Sequence, residues 1–436
     1  MKNQLDKILI SYNQPDFKKR LEKLRHEIMR EAWFLVGDDR RTQVIDILKE
    51  VKKRGNEAIV EYTKKFDRVE LMPEQFTVSE EDLEKAHKEI DKDLLASIRQ
   101  AIENVRKYQD EIFIGNKVNQ PGIKYTPIES VGICIPGASA PLPSTVIMTA
   151  VPAQVAGVER IVVVSPPRYK GSIHPTILAV CYELEIDEVL RVGGAQAVAA
   201  LAFGTNTILR VDKIVGPGNQ WVQMAKKEAF GLVGIDSIAG PSEVLIIAND
   251  KANPAWVAAD MLSQAEHAPG SAVVFTDSQR FGEEVLDELK KQIGGLSRAK
   301  ETKDCLTRFG GIFVFKSIED IIAAANDFAP EHLEIQCGEQ SREIADKIKN
   351  AGAIFIGEYS PVAVGDYWAG PSHTLPTGTT ARFFSALSAN DFIKSTSIIE
   401  YSKEKLAESA EDIIRLAEAE GLDAHAKSVK IRQVDT

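Results

Sequence analysis

Four of the seven histidines lie beyond position 266, and each has a carboxylate or an amide close by in the sequence. Histidine is the commonest metal ligand and the side chain best suited to proton transfer near neutral pH. Because most of these groups lie near Gly or Pro, we expect folding to assemble them into one composite site, which makes an enzyme the leading hypothesis. They read Gln264-Ala-Glu-His267, Glu331-His332, Asp366 followed by His373, and Glu420 followed by His425.

Two of these groups indicate particular chemistry. Gln264 and His267 are three residues apart at the end of a helical pattern, so they share a helix face and could bind one metal. Glu331 and His332 are adjacent and can face one site only on a turn, which Pro330 supplies. They would form a general acid/base pair, with Glu activating water and His moving a proton. Taken alone, each pair is also compatible with a structural or surface role.

The segment from Gly365 to Gly378 combines recurring Gly and Pro with polar side chains that include Asp366 and His373. This composition is typical of a binding loop on a rigid scaffold, although a purely structural loop remains the alternative. The chain contains neither an HExxH motif nor a cluster of four cysteines, which argues against a closed structural zinc site.

Four Gly-rich segments are expected at the carboxyl ends of strands, where open α/β sheets bind their ligands. Backbone amides in such turns can bind phosphates. One segment fails as a dinucleotide fingerprint because Trp221 replaces the third small residue. Tight turns alone would explain any single segment, but the four together favour a nucleotide or substrate crevice. They are Ile135-Pro-Gly-Ala138, Gly193-Gly-Ala-Gln196, Gly216-Pro-Gly-Asn219 and Ala239-Gly-Pro-Ser242.

The elements that must position these residues are short β-branched runs alternating with Ala-rich helical patterns. This alternation predicts parallel sheets covered by helices on both faces. Eight strands could close into one β/α barrel, but their uneven spacing and the long helical preamble favour two open doubly wound sheets. The runs begin at Ser130, Arg160, Glu188, Lys213, Glu243, Ala272, Ile312 and Ala353.

Length and composition limit the class of protein. A chain of 436 residues suggests roughly two to four domains. The net charge of −11 argues against non-specific nucleic-acid binding. No apolar run is long enough for a membrane span, and the N-terminus lacks the apolar core of a signal peptide. The four cysteines are far apart, which is typical of buried reduced thiols in a cytoplasmic protein.

With these residues in view, the chain resembles the histidinol dehydrogenase family from about residue 30 to its C-terminus. The segments that carry the resemblance occur in the same order along the chain. They are Val192-Gly-Gly-Ala-Gln-Ala-Val-Ala-Ala-Leu-Ala-Phe-Gly204, Val215-Gly-Pro-Gly-Asn219, Ala239-Gly-Pro-Ser-Glu-Val-Leu245, Ser263-Gln-Ala-Glu-His267, Ala329-Pro-Glu-His-Leu333, Gly365-Asp-Tyr, His373-Thr-Leu-Pro-Thr377 and Ala419-Glu-Gly-Leu-Asp-Ala-His425.

The resemblance implies oxidation of L-histidinol to L-histidine with two NAD, through an aldehyde, as the last step of histidine biosynthesis. It implies that His332 accepts the hydroxyl proton and that Glu331 activates the water that hydrates the aldehyde. It also implies one zinc per active site, which orients the substrate and is bound by Gln264, His267, Asp366 and His425.

The same resemblance implies the binding residues. The zinc ligands and His332 would contact the substrate together with Ser242 and Glu420, and NAD would contact Gln196 and Asn219. Cys134 occupies the position at which the family usually has a Tyr that contacts NAD. A thiol cannot stack or hydrogen-bond as a phenol does.

The resemblance further implies two incomplete Rossmann-like domains with small terminal domains, in a homodimer. We expect an N-terminal helical arm at 1–29, a first domain formed by 30–134 and 243–387, an NAD-binding domain at 135–242, and a helical dimerisation tail at 388–436. The tail would cross to the partner, so that Glu420 and His425 complete the other subunit's site. The alternatives are a dehydrogenase of another small polar alcohol, a zinc hydrolase and a non-catalytic binder.

Overall fold

The computed structural model describes residues 4–32, 38–115, 122–137, 141–267 and 269–433. The chain divides into two compact units. The first comprises Met1–Ile114 and Pro127–Ile393, and the second comprises Gly115–Thr126 and Lys394–Thr436. No helix of the described residues is long and apolar enough to cross a membrane.

The strands are short, as expected for parallel sheets. They are β1 (Leu9–Ser11), β2 (Ile123–Pro127), β3 (Ser130–Cys134), β4 (Arg160–Val164), β5 (Glu188–Leu190), β6 (Lys213–Val215), β7 (Gly234–Ile235), β8 (Glu243–Ala248), β9 (Ser271–Thr276), β10 (Gly310–Val314), β11 (His332–Gln336), β12 (Ala353–Ile356) and β13 (Ile393–Ser397).

The helices lie mostly between these strands. They are α1 (Phe17–Ala32), α2 (Asp38–Arg54), α3 (Asn56–Asp67), α4 (Glu80–Glu89), α5 (Lys92–Ile112), α6 (Pro143–Val155), α7 (Pro175–Glu183), α8 (Gly194–Phe203), α9 (Gln220–Ala229), α10 (Pro254–Ala265), α11 (Gln279–Gln292), α12 (Ala299–Phe309), α13 (Ile318–Phe328), α14 (Ser341–Asp346), α15 (Val362–Tyr367), α16 (Lys403–Ala419) and α17 (Asp423–Lys430).

The first unit contains two parallel sheets, which confirms two open sheets rather than a barrel. The five-stranded sheet has the order β5-β4-β3-β6-β7, and the six-stranded sheet has the order β1-β10-β9-β8-β11-β12. Apart from β1, which adds an edge strand to the six-stranded sheet, both sheets run third, second, first, fourth, fifth when β3 and β8 are each taken as the first strand. This order is that of a doubly wound fold, in which successive strands are added first on one side of the first strand and then on the other.

Helices cover both faces of the five-stranded sheet. Val131 and Ile133 of β3 pack with α4 to α7, whereas Cys134, on the opposite face, packs with α2, α3, α8 and α9. The region 38–112 therefore belongs to this sheet, which differs from the expected grouping of 30–134 with 243–387. The sequence of an amphipathic helix shows which of its faces is apolar, but it does not show which sheet that face packs against.

The segment expected as an N-terminal arm contributes to the six-stranded sheet. β1 pairs with β10 and forms an edge of the sheet. Phe17, Leu24 and Ile28 of α1 are buried in the core around this sheet. The arm is thus part of the first unit's core from its first described residues onward.

The second unit is small. It contains a two-stranded sheet of β2 and β13, followed by α16 and α17. The hydroxyl of Ser402 caps α16 by accepting a hydrogen bond from the Lys405 amide at 3.2 Å. The expected helical tail is present here, with β13 preceding it.

Candidate active site

Glu331 and His332 lie where β11 begins, next to the first residues of β8. Ala329 adopts a left-handed conformation with φ 48°, so the chain turns sharply after α13 and enters β11 at His332. The register pairs His332 with Val244, which places both side chains beside Glu243. Both members of the predicted acid/base pair are buried, with 6% of Glu331 and 3% of His332 exposed.

The carboxylate of Glu331 is held by two hydrogen-bond donors. Its Oε2 accepts hydrogen bonds from the Ser242 hydroxyl and from the Glu243 amide, both at 2.7 Å. The same oxygen lies 3.4 Å from Nδ1 of His332. Ser242, expected as a substrate contact, therefore orients the acidic member of the pair.

The tautomer of His332 follows from its backbone partner. Nδ1 lies 2.9 Å from the carbonyl oxygen of Glu243, and because a carbonyl only accepts, Nδ1 carries a hydrogen. Nε2 is buried without a hydrogen-bond partner, so a proton is gained and lost there. Burial lowers the pKa of His332, but the charges of Glu331 and Asp366 and the bonds to Glu331 and Glu243 outweigh it and raise the pKa to about 9.

Glu243 is a buried acid that the sequence patterns did not indicate. Burial and the nearby charge of Glu331 raise its pKa to about 8. Its Oε1 accepts a hydrogen bond from the Gly378 amide at 2.7 Å. A charged residue at the start of an otherwise apolar strand, as in Glu243-Val-Leu-Ile-Ile-Ala248, is the signal that could have identified it.

Asp366 and His373 extend the site from the Gly- and Pro-rich segment. Oδ1 of Asp366 lies 3.9 Å from Nε2 of His332 and 3.9 Å from Nδ1 of His373. Nε2 of His373 is 3.3 Å from the Thr145 hydroxyl of α6, and burial lowers the pKa of His373. His332, Asp366 and His373 line one cavity of about 540 Å³, together with Tyr108 and Phe355.

Gln264 and His267 lie at the end of α10. Only 2% of Gln264 is exposed, and its Nε2 has no hydrogen-bond partner, so this amide is not committed to the fold. His267 follows the helix on an exposed turn, and its amide donates to the Gln264 carbonyl at 3.4 Å. Gly270 fits closely here, because a Cβ would lie 2.5 Å from that carbonyl oxygen.

The donor chemistry of Gln264, His267 and Asp366 fits zinc, which binds nitrogen and oxygen ligands. Among the described residues, no three or more His, Cys, Asp or Glu side chains form a ready metal cluster. Only two of the expected ligands in the first unit are of those types. Glu420 and His425 belong to the second unit, at the end of α16 and in α17, and both are exposed.

Three of the four Gly-rich segments follow strands of the five-stranded sheet, at their carboxyl ends, whereas the fourth, Ala239–Ser242, directly precedes β8 and lies at its amino end. Gln196 lies in the first turn of α8 and Asn219 caps α9, accepting from the Trp221 amide at 3.0 Å. Both side chains line a cavity of about 270 Å³ with Trp221, Phe66 and Arg168. Gln196 is 1% exposed and its Nε2 has no partner, as expected of an amide that faces a ligand.

The Gly216 turn is fixed from behind by a buried ion pair. Gly216 has φ 101°, and a Cβ there would lie 2.5 Å from the Cys134 carbonyl oxygen. The Gly216 amide donates to Asp236, and its carbonyl accepts from Lys226, at 2.7 and 2.9 Å. Cys134 itself is buried, and burial raises its pKa to about 12. All four cysteines are buried and unpaired.

Residues 236–242 connect the two sites, running from β7 of the five-stranded sheet to β8 of the six-stranded sheet. Within this linking segment, the Ala239 amide donates to the side chain of Gln223 in α9 at 3.0 Å. The Gly240 amide donates to the hydroxyl of Thr377. Of the Ile135–Ala138 turn, Ala138 lies outside the described residues.

Comparison with known proteins identifies the family. Residues 36–433 match the family model described as histidinol dehydrogenase. Histidinol dehydrogenase from Rhodopirellula baltica is 47% identical over 392 residues, covering 88% of this chain and 85% of that protein. The one from Bacillus cereus is 42% identical over 424 residues, covering 96% and 97%. The crystal structure of histidinol dehydrogenase from Elizabethkingia anophelis superimposes with a TM-score of 0.88 at 35% identity, covering 97% of this chain and 98% of that one. The chain belongs to the histidinol dehydrogenase family.

Proposed function

We propose that the protein oxidises L-histidinol to L-histidine through histidinal, in two NAD-dependent steps with zinc, as the last step of histidine biosynthesis. The observation that carries the proposal is the buried Glu331–His332 pair, held by Ser242 and Glu243 in a cavity shared with Asp366. The oxidation of an alcohol to an acid removes four electrons and adds one water oxygen, so it needs both a proton acceptor and a base for water.

Gln264, His267 and Asp366 would hold the zinc, with His425 as the fourth ligand. When bound, zinc would orient the imidazole and amino groups of the substrate. The cavity containing Gln196 and Asn219 would hold NAD, which accepts hydride in both steps. Backbone amides at the starts of α8 and α9 and the positive ends of these helices favour the NAD phosphates.

The neutral form of His332, which is populated increasingly as the pH approaches its raised pKa of about 9, accepts the hydroxyl proton of histidinol at Nε2 while the carbinol carbon is oxidised. Its Nδ1 hydrogen bond to the Glu243 carbonyl fixes the ring during this transfer. Glu331 then takes a proton from the water that attacks the aldehyde carbon. The Ser242 hydroxyl and the Glu243 amide keep the carboxylate oriented, and Cys134 remains a buried residue beneath the NAD crevice.

A cytoplasmic homodimer would complete the site. In this proposal the partner supplies Glu420 to the amino group of the substrate and His425 to zinc. Both side chains are exposed on the second unit and are therefore accessible to another subunit. The acidic surplus and the chemistry of the site favour a small-molecule substrate, with no nucleic acid or membrane as a partner.

The decisive experiment incubates zinc-loaded protein with NAD and L-histidinol and measures NADH. Two NADH per histidinol, with L-histidine as the product, are the expected result. Turnover of another small alcohol but not of histidinol would assign a different dehydrogenase activity. Hydrolysis of an ester or amide substrate without NADH would instead assign the zinc hydrolase alternative.

A further inference from the structure

A second buried polar cluster lies beside the site and has no role in the proton transfers described above. It consists of Asp260, Glu334 and Gln336, which we call the carboxyl cluster. Nε2 of Gln336 donates to Asp260 Oδ2 at 2.9 Å and to Glu334 Oε2 at 3.0 Å. Only 1% of Glu334 and 2% of Gln336 are exposed, so these contacts replace water almost completely.

The carboxyl cluster joins β11, α10 and α15, which carry His332, Gln264 and Asp366 respectively. Glu334 follows His332 by two residues in β11, so their side chains leave the same face of the strand. Asp260 lies on α10, one helical turn before Gln264 and on the same side of the helix.

The contact with α15 completes the connection. The amide of Val362, the first residue of α15, donates to Glu334 Oε1 at 3.0 Å. Asp366 follows one turn later in the same short helix. Glu334 therefore contacts α15 directly and is connected to α10 through Gln336.

The charges of the carboxyl cluster require a shared proton. Two carboxylates on one amide nitrogen repel each other strongly when both are ionised in a buried position. Burial raises the pKa of Glu334 well above its usual range and also raises the pKa of Asp260. Glu334 is more deeply buried than Asp260, which favours the protonated form at Glu334.

We propose that Asp260, Glu334 and Gln336 are positioning residues, which fix α10 and α15 against β11 so that the zinc ligands on these helices meet His332. The identity of the metal rests on the proposed function. The positioning itself is a property of the metal-free fold, because every contact that carries it is between residues of this chain.

The experiment compares variants at Glu334 by two readouts. Glu334→Gln keeps an oxygen that accepts from the Val362 amide, but its amide nitrogen replaces the oxygen that accepts from Gln336. Glu334→Leu removes both bonds. Ile335→Ala is the matched control, because Ile335 is equally buried in β11 and points to the opposite face. The readouts are zinc affinity in competition with a chelator and hydrogen exchange of the Val362 amide in metal-free protein.

We expect Glu334→Leu to weaken zinc binding by about tenfold to hundredfold, the range seen when residues that orient metal ligands are removed. We also expect it to accelerate exchange at Val362 by about tenfold. Glu334→Gln should keep Val362 exchange near that of the wild type and weaken zinc binding less than Glu334→Leu does, because it loses only the contact with Gln336. Ile335→Ala should lower thermal stability without changing zinc affinity. If Glu334→Leu does not fold, Asp260→Ala replaces it, because Asp260 is half-buried and its loss leaves no buried ion.

The inference is overturned if Glu334→Leu and Asp260→Ala bind zinc like the wild type, or if Ile335→Ala weakens binding as much as they do. It is also overturned if Val362 exchange is unchanged in both variants. If the wild type binds no zinc but Val362 exchange responds as expected, the proposed function fails and the positioning role stands. If the wild type converts histidinol and the variants behave like it, only the positioning role fails.

Discussion

The two sheets of the first unit share the same order of five strands, but their candidate sites lie at opposite ends of the strands. In the five-stranded sheet, the loops with Gln196 and Asn219 follow the carboxyl ends of β5 and β6, as is usual for doubly wound folds. In the six-stranded sheet, Glu331 and His332 lie at the amino end of β11, next to the amino end of β8.

The difference teaches which features of a site depend on strand order. Helices of a parallel sheet begin at its carboxyl edge, so phosphate-binding amides and helix dipoles are found there. Proton transfer depends instead on burial and on charged neighbours, which either edge can supply. Changes at the amino edge of the six-stranded sheet should therefore alter turnover, and changes at the carboxyl edge of the five-stranded sheet should alter NAD binding.

The largest expected effect is that of His332→Asn. The new amide can still donate to the Glu243 carbonyl, but the Nε2 position is lost, so kcat should fall by about 10³-fold, within the range of general-base removal. Zinc content, measured by metal analysis, should remain that of the wild type. His267→Asn is the control and should lose the metal. Loss of zinc in His332→Asn would contradict this division of roles.

Glu243→Gln should change the pH dependence of stability. The pKa of Glu243 is raised to about 8 in the folded protein, so unfolding releases its proton at any pH between the ordinary carboxyl value and about 8. Wild-type stability should fall as pH rises through this window, by roughly 5 kcal/mol in total. Glu243→Gln keeps an acceptor for Gly378 and should show a much smaller fall. The free energy of unfolding would be measured with urea from pH 5.5 to 8.5. An equal fall with pH in the two proteins would contradict the prediction.

Glu331→Gln should affect the second oxidation more than the first. The amide oxygen can still accept from Ser242 and Glu243, but it cannot take a proton from water, so oxidation of histidinal should slow by about 10²-fold. The ratio of NADH to histidinol consumed should fall from two toward one while the aldehyde accumulates. Equal slowing of histidinol and histidinal oxidation would show that Glu331 does not act specifically on water.

Gln196→Ala should have the smallest of these effects. One unpaired buried amide is available for NAD, and loss of one hydrogen bond should raise the KM for NAD by about tenfold with little change in kcat. Lys227→Ala, on an exposed position of the adjacent helix α9, serves as the control and should change neither value. A large fall in kcat for Gln196→Ala would remove the distinction between the two edges.

The sequence predicted the sheets better than it predicted their central polar residues. All eight β-branched runs form strands of the parallel sheets. The strand β11 was missed because Glu334 and Gln336 interrupt its apolar residues, whereas the eight predicted strands are near-continuous apolar runs. It is nevertheless buried throughout, because Glu334 and Gln336 find polar partners in Asp260 and Val362.

The same limit applies to the site. Residue types and spacing suffice to predict that Glu331 and His332 can face one site, since the turn before them is visible in the sequence. The role of Glu243 depends on a neighbour 88 residues away, and that of His373 on Thr145, 228 residues away. Such pairings follow from strand order and helix packing, which local patterns do not encode.

The linking segment 236–242 limits the distance between the two candidate sites. Its backbone amides are hydrogen-bonded to Gln223 and to Thr377, which restricts the movement of the segment. Each residue can span at most about 3.5 Å. The length of the segment therefore sets an upper limit on the distance between the proposed nucleotide crevice and the proposed acid/base pair. The two sites can therefore separate no further than this length when either of them binds its ligand.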